Sequence, residues 1–378
     1  MQNVYVLGTG LAKFGKRDDV WLEELGREAG EAALIDSCLA RTQIDMAFCG
    51  HAFGGRVVGQ RLLAQLGLSG IPTINVENAC TTGATAFHLA YQAVAHGDAE
   101  LVLVIGLDQM ASGLIDATKS DFEGALGRTL PGKYALRANR YIALHDLTVN
   151  DLADIVVKNR AFGAQNSIAH FQEAVTREEV LGSRMIAEPL TLFQCCPSVD
   201  GAAAALIGTE KLAKQIGKPL VKIFASALGA GKYIPSSEGK SPDDELVRAT
   251  AQKAYAMAGC GPEDIQVAEV HDAFSIGEVL AYDNLGFCKP GEAARLIRDR
   301  VTWLGGKLPV STSGGLLSRG HPLGATGMAQ IVEITRQLRS ESGSRQIDPL
   351  PKLGLAQCTG GAIPVVGTAS CCVHILGR

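Results

Sequence analysis

Two cysteines and two histidines of this sequence stand in settings where their side chains can do chemistry. Cys80 lies in the segment Glu77-Asn-Ala-Cys-Thr-Thr-Gly83, between an apolar run of strand length and an apolar helical run. A thiol at the start of a helix faces unpaired backbone N–H groups and the positive end of the helix dipole, which lower its pKa and favour the nucleophilic thiolate. The alternative is that Cys80 is a small buried hydrophobic residue, the usual fate of an isolated cysteine.

The glycine-rich segment Gly314–Gly327 contains the first histidine. His321 stands between a glycine and a proline, which holds an imidazole on a tight turn where backbone comes close to a ligand. A turn at the start of a helix would explain Pro322 and the glycines, but it does not explain the histidine. We therefore interpret His321 as a functional residue.

The other two candidates follow predicted strands. His271, in Glu269-Val-His-Asp-Ala-Phe274, comes at the end of a buried strand, where open α/β sheets concentrate catalytic groups; a satisfied core histidine is the alternative. Cys358 begins Cys358-Thr-Gly-Gly361, whose backbone amides could face an anionic oxygen. That motif is weak alone, because Cys371 and Cys372 nearby have the setting of ordinary core residues.

Apolar runs of strand length alternate with amphipathic helical stretches along the chain, a pattern that predicts an α/β fold with helices on the faces of a sheet. The predicted strands are Asn3–Gly8, Met46–Gly50, Thr73–Asn78, Glu100–Leu107, Asp200–Gly208, Leu220–Leu228, Val267–Val270, Leu308–Ser311 and Lys352–Gln357. The predicted helices are Leu22–Ala40, Thr82–His96, Pro242–Ala258, Ser275–Leu285 and Gly324–Glu341.

This order recurs within the chain. The segment from Ile44 to Phe53 resembles that from Ile265 to Phe274, and each follows a long helix. We expect two repeated halves, residues 1–215 and 216–378. Residues from about 108 to 197 lack this alternation of strands and helices. This predicts an inserted layer of the kind that commonly covers an active site.

Composition excludes several classes of protein. The 378 residues carry a net charge of −4, with both signs mixed along the chain, so nucleic acid and anionic membrane surfaces are not expected partners. No apolar run approaches the roughly 20 residues of a membrane helix, and the N-terminus lacks signal-peptide features. Ten cysteines without a CxxC pair indicate reduced thiols, no metal site and a cytoplasmic location.

The four motifs together resemble the thiolase superfamily along essentially the whole chain. The resemblance rests on Cys80 after a strand, His271-Asp-Ala-Phe274, Gly320-His-Pro-Leu-Gly-Ala-Thr-Gly327 and Cys358-Thr-Gly360. The HDAF variant is most similar to the sterol-carrier-protein and archaeal branch, whose members often work beside a small OB-fold, zinc-ribbon acyl-CoA-binding subunit. The resemblance implies duplicated β-α-β-α-β-α-β-β halves in a layered α-β-α-β-α core, and a homodimer or larger oligomer.

The resemblance also implies an activity: transfer of an acyl group to and from coenzyme A, a co-substrate, with no bound cofactor. Cys80 would carry the acyl group and His321 would activate it. His321 and His271 would bind the thioester oxygen of the enolate, and Cys358 would move the proton on the α-carbon. Backbone N–H groups of Cys80 and Gly360 would form the oxyanion hole, and Ser226 matches loosely a position that touches pantetheine.

One residue departs from this pattern, because sterol-carrier-type thiolases frequently have cysteine where this chain has Ala273. Either Cys358 alone supplies the acid and base, or the chemistry has changed toward that of related aldolases. A ketosynthase would use Cys80, His271 and His321 without a second cysteine, and a non-catalytic acyl-CoA-binding subunit is a further alternative.

The substrate is open between acetoacetyl-CoA and branched, steroid, aromatic or 2-acylsuccinyl-type β-ketoacyl-CoA. Basic residues of the inserted layer could meet CoA phosphates or a substrate carboxylate, or could form a solvated basic face. They stand near Tyr134 and Tyr141 and are Lys119, Arg128, Lys133, Arg137 and Arg140.

Overall fold

The structure is a computed structural model that describes residues 2–110, 122–235 and 240–378. The β-strands are β1 Val4–Leu11, β2 Met46–Gly50, β3 Thr73–Val76, β4 Leu101–Asp108, β5 Met185–Ala187, β6 Leu190–Thr191, β7 Gly201–Thr209, β8 Val221–Ala230, β9 Val267–Glu269, β10 Leu353–Ile363 and β11 Gly367–Gly377. The α-helices are α1 Leu22–Ser37, α2 Val58–Gln65, α3 Thr82–His96, α4 Phe122–Ala125, α5 Leu130–Leu144, α6 Val149–Gly163, α7 Arg177–Gly182, α8 Glu210–Ala213, α9 Pro242–Ala258, α10 Ser275–Asn284, α11 Ala293–Arg298, α12 Gly315–Ser318 and α13 Leu323–Arg339.

One nine-stranded mixed sheet runs through the protein in the order β3-β2-β4-β7-β1-β8-β11-β10-β9. The first five strands and the last four follow mirrored orders, and β1 pairs with β8 where the two sets meet. The repeated α/β architecture predicted from the sequence is therefore confirmed. The boundary between residues 215 and 216 stays a prediction.

The predicted strand Leu308–Ser311 is wrong as a strand. Val310 forms only an isolated parallel bridge with Ala268 of β9. A strand here would be the fifth of the second half of the sheet. The two bonds of this bridge join Ala268 to the Pro309 carbonyl and to the Ser311 N–H. Pro309 has no N–H to donate to β9, so the ladder cannot extend toward Leu308. Strand β11 was not predicted, and β10 continues well beyond Gln357 to Ile363.

Helices α3 and α13 form the central layer, and both are buried on most sides. They share one core with strands of both halves, whereas α1 and α2 cover the outer face of the first half and α9 and α10 that of the second. A Cβ on Gly83 would lie 2.3 Å from the Gly324 carbonyl oxygen, and one on Gly327 would lie 2.6 Å from the Ala84 nitrogen. These glycines permit the close approach of the two helices.

The inserted layer contains helices α4 to α7 and the short hairpin of β5 and β6. Helix α6 packs against α10, α11 and α12, which places the layer over the second half of the molecule. Among the described residues, no helix combines the length and hydropathy needed to cross a bilayer.

Candidate active site

Cys80 lies on a short 3-10 turn, Ala79–Thr81, that joins β3 to α3. Ala79 has a φ of 49°, a left-handed conformation that costs free energy for a residue with a Cβ. The turn is held by its own polar groups: Thr81 Oγ1 donates to the Asn78 carbonyl at 2.6 Å, and the Asn78 N–H donates to Thr82 Oγ1 at 2.8 Å. The strained turn presents the half-buried thiol at the end of a sheet.

The expectation that the helix start lowers the pKa of Cys80 is wrong. Burial raises the pKa of this thiol to about 12, and the nearby N–H of Gly361 offsets that increase only in part. Desolvation disfavours the thiolate more than the helix dipole favours it. Cys80 is therefore a protonated thiol in the free protein, and its nucleophilic form requires a base.

His321 has the geometry of that base. Its Nδ1 lies 2.7 Å from Thr326 Oγ1, and Thr326 donates its only hydroxyl proton to the Pro322 carbonyl at 2.8 Å. The hydroxyl must then accept from Nδ1–H, so Nε2 keeps its lone pair. Burial, His271 and Arg319 hold the pKa of His321 well below its usual value, which keeps the ring neutral.

His271 and Cys358 come from adjacent parallel strands, β9 and β10. The His271 N–H donates to Gln357 Oε1 at 3.0 Å, which fixes the loop after β9 to β10. The Sγ of Cys358 lies 3.4 Å from Nδ1 of His271 and 3.0 Å from the Cys80 carbonyl oxygen. Burial lowers the pKa of His271 to about 4 and raises that of the Cys358 thiol well above its usual value.

The structure brings together the four side chains singled out in the sequence. The Cys80 sulfur and one ring nitrogen from each of His271 and His321 lie within 4.8 Å of one another, and the two rings are nearly perpendicular with centroids 5.1 Å apart. Cys358 adds the fourth group. The arrangement provides a nucleophile, a neutral imidazole to deprotonate it, and a second acid/base beside the other imidazole.

Gly360 lies against the backbone nitrogens of the turn that carries Cys80. A Cβ at this position would lie 2.8 Å from the Cys80 nitrogen and 2.5 Å from the Thr81 nitrogen, so only glycine fits. The next residue, Gly361, has a φ of 71° and directs its N–H at the Cys80 sulfur. Sequence analysis noted the Gly-Gly pair but assigned the oxyanion hole to Gly360 and not to Gly361.

Asp272, the second residue of the HDAF motif, ties the two histidine segments together. It accepts the Leu316 N–H at 2.8 Å and the Asn159 side-chain amide of α6 at 2.7 Å. A Cβ on Gly315 would lie 2.1 Å from the Asp272 carboxylate, which explains one glycine of the segment Gly314–Gly327. Asn159 belongs to the inserted layer, and no sequence pattern distinguished it.

A third thiol lies beside the site. The Cys196 N–H donates to the Ala273 carbonyl at 2.9 Å, and burial and the neighbouring Cys80 raise the pKa of the Cys196 thiol well above its usual value. This cysteine ends the inserted layer, and sequence analysis did not select it. The Cys195-Cys196-Pro197 sequence was the available signal.

The structure does not bring Ser226 to these groups. Its side chain is 1% exposed, and its hydroxyl lies between His88 Nδ1 at 3.0 Å and His374 Nδ1 at 2.9 Å. This location gives no support to a contact with pantetheine, which stays an untested prediction.

The basic residues of the inserted layer line a cleft of about 980 Å³. Arg128 pairs with Glu123, Lys133 with Asp243, and Arg137 with Asp243 and Asp244, whereas Arg140 makes no ion pair within the described chain. The cleft adjoins a small cavity beside His271, and both are lined by Arg137, Asp243, Leu280 and Asn284. Lys119 lies outside the described residues.

Comparison with protein-family models identifies both halves. Residues 4–211 match the model described as thiolase, N-terminal domain, and residues 236–378 match the model described as thiolase C-terminal domain-like. The chain belongs to the thiolase family. The predicted acyltransferase class is thereby confirmed, as is the resemblance to the archaeal and sterol-carrier-protein branch.

Three similar proteins refine this placement within the thiolases. Benzoylsuccinyl-CoA thiolase subunit BbsB of Thauera aromatica is 41% identical over 95% of this chain and 95% of its own. Acetyl-CoA acetyltransferase of Methanothermobacter thermautotrophicus is 35% identical over the full length of both chains. The solved structure titled Ltp2-ChsH2(DUF35) aldolase has a TM-score of 0.86 and 26% identity, covering 100% of this chain and 98% of that one.

Proposed function

We propose that this thiolase cleaves or forms a β-ketoacyl-CoA through an acyl group carried on Cys80, without decarboxylation. The observation that carries the proposal is the convergence of Cys80, His271 and His321 within 4.8 Å, with Cys358 beside His271. Claisen chemistry develops negative charge on two separate oxygens, and preorganised donors at each are usually the largest catalytic contribution.

In the cleavage direction, Nε2 of His321 takes the Cys80 proton and the thiolate attacks the β-keto carbon. The N–H groups of Cys80 and Gly360 stabilise the resulting oxyanion. Its collapse breaks the carbon–carbon bond and leaves the enolate of the shorter acyl-CoA, whose oxygen lies against His271 and His321. Cys358 gives its proton to the α-carbon, and its thiolate then takes the proton of free CoA, whose sulfur takes the acyl group from Cys80. His321 returns the first proton to the released Cys80 sulfur.

The substrate class that we propose is a 2-acylsuccinyl-type β-ketoacyl-CoA. Support comes from the 41% identity to the benzoylsuccinyl-CoA thiolase subunit and from the cleft that leads toward His271. Arg140 on the cleft wall makes no ion pair within the described chain and is suited to bind a phosphate or carboxylate. Arg128, Lys133 and Arg137 are already paired with acidic neighbours and are only about one-fifth exposed, so they are less suited to bind an anion.

Aldol cleavage is the second candidate, since one similar structure is titled an aldolase. A retro-aldol reaction transfers no acyl group and needs no thiol nucleophile. A decarboxylating ketosynthase does not need Cys358. The presence of both Cys80 and Cys358 in one cluster therefore favours the thiolase reaction.

The assembly that we propose is a homodimer acting in the cytoplasm beside a small OB-fold subunit. Strand β3 is one free edge of the sheet, and its Ile74 is 44% exposed, as expected of a strand that pairs with a second copy. Support for the second subunit is that one relative is itself named a subunit and one similar structure is a complex with a DUF35 protein.

A substrate panel tests the reaction class. β-Ketoacyl-CoA thioesters of the acetoacetyl, branched, aromatic and 2-acylsuccinyl types are incubated with free CoA, and the acyl-CoA products are identified by mass. Wild type and Cys80→Ser protein are compared, each alone and with a small OB-fold subunit. CoA-dependent formation of two acyl-CoA products, lost in Cys80→Ser, supports the proposal. The matching β-hydroxyacyl-CoA thioesters are incubated without free CoA, and their cleavage to an aldehyde or ketone, with no turnover of the β-keto thioesters, would establish an aldolase instead.

A further inference from the structure

A buried ion pair joins the two histidine segments. Glu269 stands two residues before His271, and Arg319 stands two residues before His321. Arg319 Nη1 lies 3.2 Å from Glu269 Oε2, and the two side chains are 1% and 0% exposed. The pair therefore connects the end of β9 to the turn that precedes α13.

Ser313 extends this connection. Its N–H donates to Glu269 Oε1 at 2.9 Å, and its hydroxyl donates to Glu269 Oε2 at 2.6 Å and accepts from Arg319 Nη1 at 2.8 Å. Glu269 thus receives three donors from the 313–319 segment. Two residues of chain span only about 7 Å, so a displacement at either end of the pair passes directly to a histidine.

The pair is poorly built for stability alone. Nε and Nη2 of Arg319 have no hydrogen-bond partner within the described chain, and the guanidinium otherwise faces the Phe14 ring at 5.7 Å. When donors of a buried ion pair stay unsatisfied, the attraction between the charges does not offset the free-energy cost of their desolvation. A protein with an apolar pair of similar volume in the same place is often equally stable or more stable. The location of the pair between the two histidine segments indicates a role in the active site.

We propose that Glu269 and Arg319 are positioning residues that fix the His271 and His321 rings relative to each other. The two rings lie with centroids 5.1 Å apart and at 81°, which allows both to face one thioester oxygen. Neither Glu269 nor Arg319 contacts the reacting atoms. The inference rests on the proposed enolate-binding role of the two histidines.

Two reactions separate positioning from folding. Exchange of the α-proton of a short acyl-CoA requires both imidazoles, whereas alkylation of Cys80 by iodoacetamide requires only His321. The test variant is Glu269→Gln/Arg319→Met, which removes both charges together so that no lone charge stays buried. Its control is Asp36→Asn/Arg339→Met, which removes another pair with a buried arginine, also at 3.2 Å but away from the site.

Because a misplacement of about 1 Å can cost about 10²-fold in rate, the test variant should lose about 10- to 100-fold in kcat and in α-proton exchange. KM should stay within about twofold of wild type, and Arg319→Lys should recover much of the loss. Alkylation of Cys80 should fall less than α-proton exchange, because it depends on one imidazole ring and not on the relation between two. The control should keep wild-type kcat. Exchange unchanged in the test variant, or lost equally in the control, would overturn the proposal.

Wild-type activity is measured first, because a wild type without thiolase turnover would refute the proposed function rather than this inference. If the double variant does not fold by circular dichroism, Ser313→Ala decides, because it removes only the hydroxyl that bonds both Glu269 and Arg319. A lowered kcat with unchanged KM in this variant supports positioning, and an unchanged kcat contradicts it.

Discussion

The Nδ1 of His321 lies 2.7 Å from the hydroxyl oxygen of Thr326, and this hydrogen bond decides which ring nitrogen can act as a base. Thr326 uses its proton on the Pro322 carbonyl, so the ring must donate through Nδ1. The threonine of the GATG sequence thus orients the base, and the neighbouring glycines permit α13 to pack against α3.

We expect Thr326→Val to slow alkylation of Cys80 and turnover by about tenfold, because the ring loses the acceptor that fixes its tautomer and orientation. Thr335→Val is the matched control: Thr335 lies on the same helix and donates to the Ile331 carbonyl at 2.8 Å without contacting a histidine. Equal losses in both variants would show that Thr326 contributes only to the helix.

Cys80 should be the thiol whose alkylation is prevented by a short acyl-CoA. Because its pKa is raised to about 12, its reactivity depends on His321 rather than on spontaneous ionisation. Peptide mapping after limited alkylation measures this. The exposed Cys38 will also label, but acyl-CoA should not protect it. Protection of Cys358 or Cys288 with Cys80 unaffected would contradict the assignment of the nucleophile.

Gly360→Ala should abolish most turnover while the protein remains folded. The added Cβ would lie 2.5 Å from the Thr81 nitrogen and 2.8 Å from the Cys80 nitrogen, so the N–H groups that we propose as oxyanion donors must move. Loss of one such donor typically costs about 10²–10³-fold in kcat. Gly182→Ala is the control, since its Cβ would meet no atom within 4 Å. Normal kcat in Gly360→Ala would exclude an oxyanion hole at this position.

The acid sensitivity of folding should depend on His374. Burial and His88 lower the pKa of His374 to about 3, so below pH 6.5 the unfolded chain binds a proton that the folded protein does not. Stability contributed by the neutral ring is present above the unfolded pKa and is lost as pH falls, by about 1.4 kcal/mol per pH unit below it.

His374→Gln removes this linkage, and urea unfolding at pH 7.5, 6 and 5 measures it. The difference in unfolding free energy between wild type and the variant should shrink as pH falls, by up to about 2 kcal/mol at pH 5. The value at pH 7.5 gives the cost of lost packing and hydrogen bonding alone. A difference that is the same at all three pH values would mean that His374 is not buried as a neutral ring.

The structure could be predicted from the sequence where a local pattern of residues determines it. The turn at Cys80 follows from a strand that meets a helix, and α3 and α9 begin and end where their periodicity and caps indicate. Prediction failed where tertiary packing decides. The pKa of Cys80 depends on burial by distant segments. The strand predicted at Leu308–Ser311 is limited by a local residue, because Pro309 has no N–H to donate to β9.

Cys358 distinguishes a non-decarboxylating thiolase from the other enzymes of this fold. Its Sγ lies 3.4 Å from His271 Nδ1, beside the nucleophile. Cys358→Ala should reduce deuterium exchange at the α-carbon of a short acyl-CoA by about 10²–10⁴-fold, the usual worth of a general acid or base, and leave substrate binding largely intact. Acylation of Cys80 should survive, because His321 serves that step.

The control for this substitution is Cys372→Ala, because Cys372 is buried and pairs directly with Cys358 across β10 and β11. It leaves a similar cavity without removing the proton donor, so its exchange rate should match wild type. Malonyl-CoA is assayed in parallel for decarboxylation. Exchange that requires Cys358, with no decarboxylation of malonyl-CoA, supports the thiolase mechanism. If the Cys358→Ala protein exchanges the α-proton and condenses substrate as fast as wild type, Cys358 is only a packing residue.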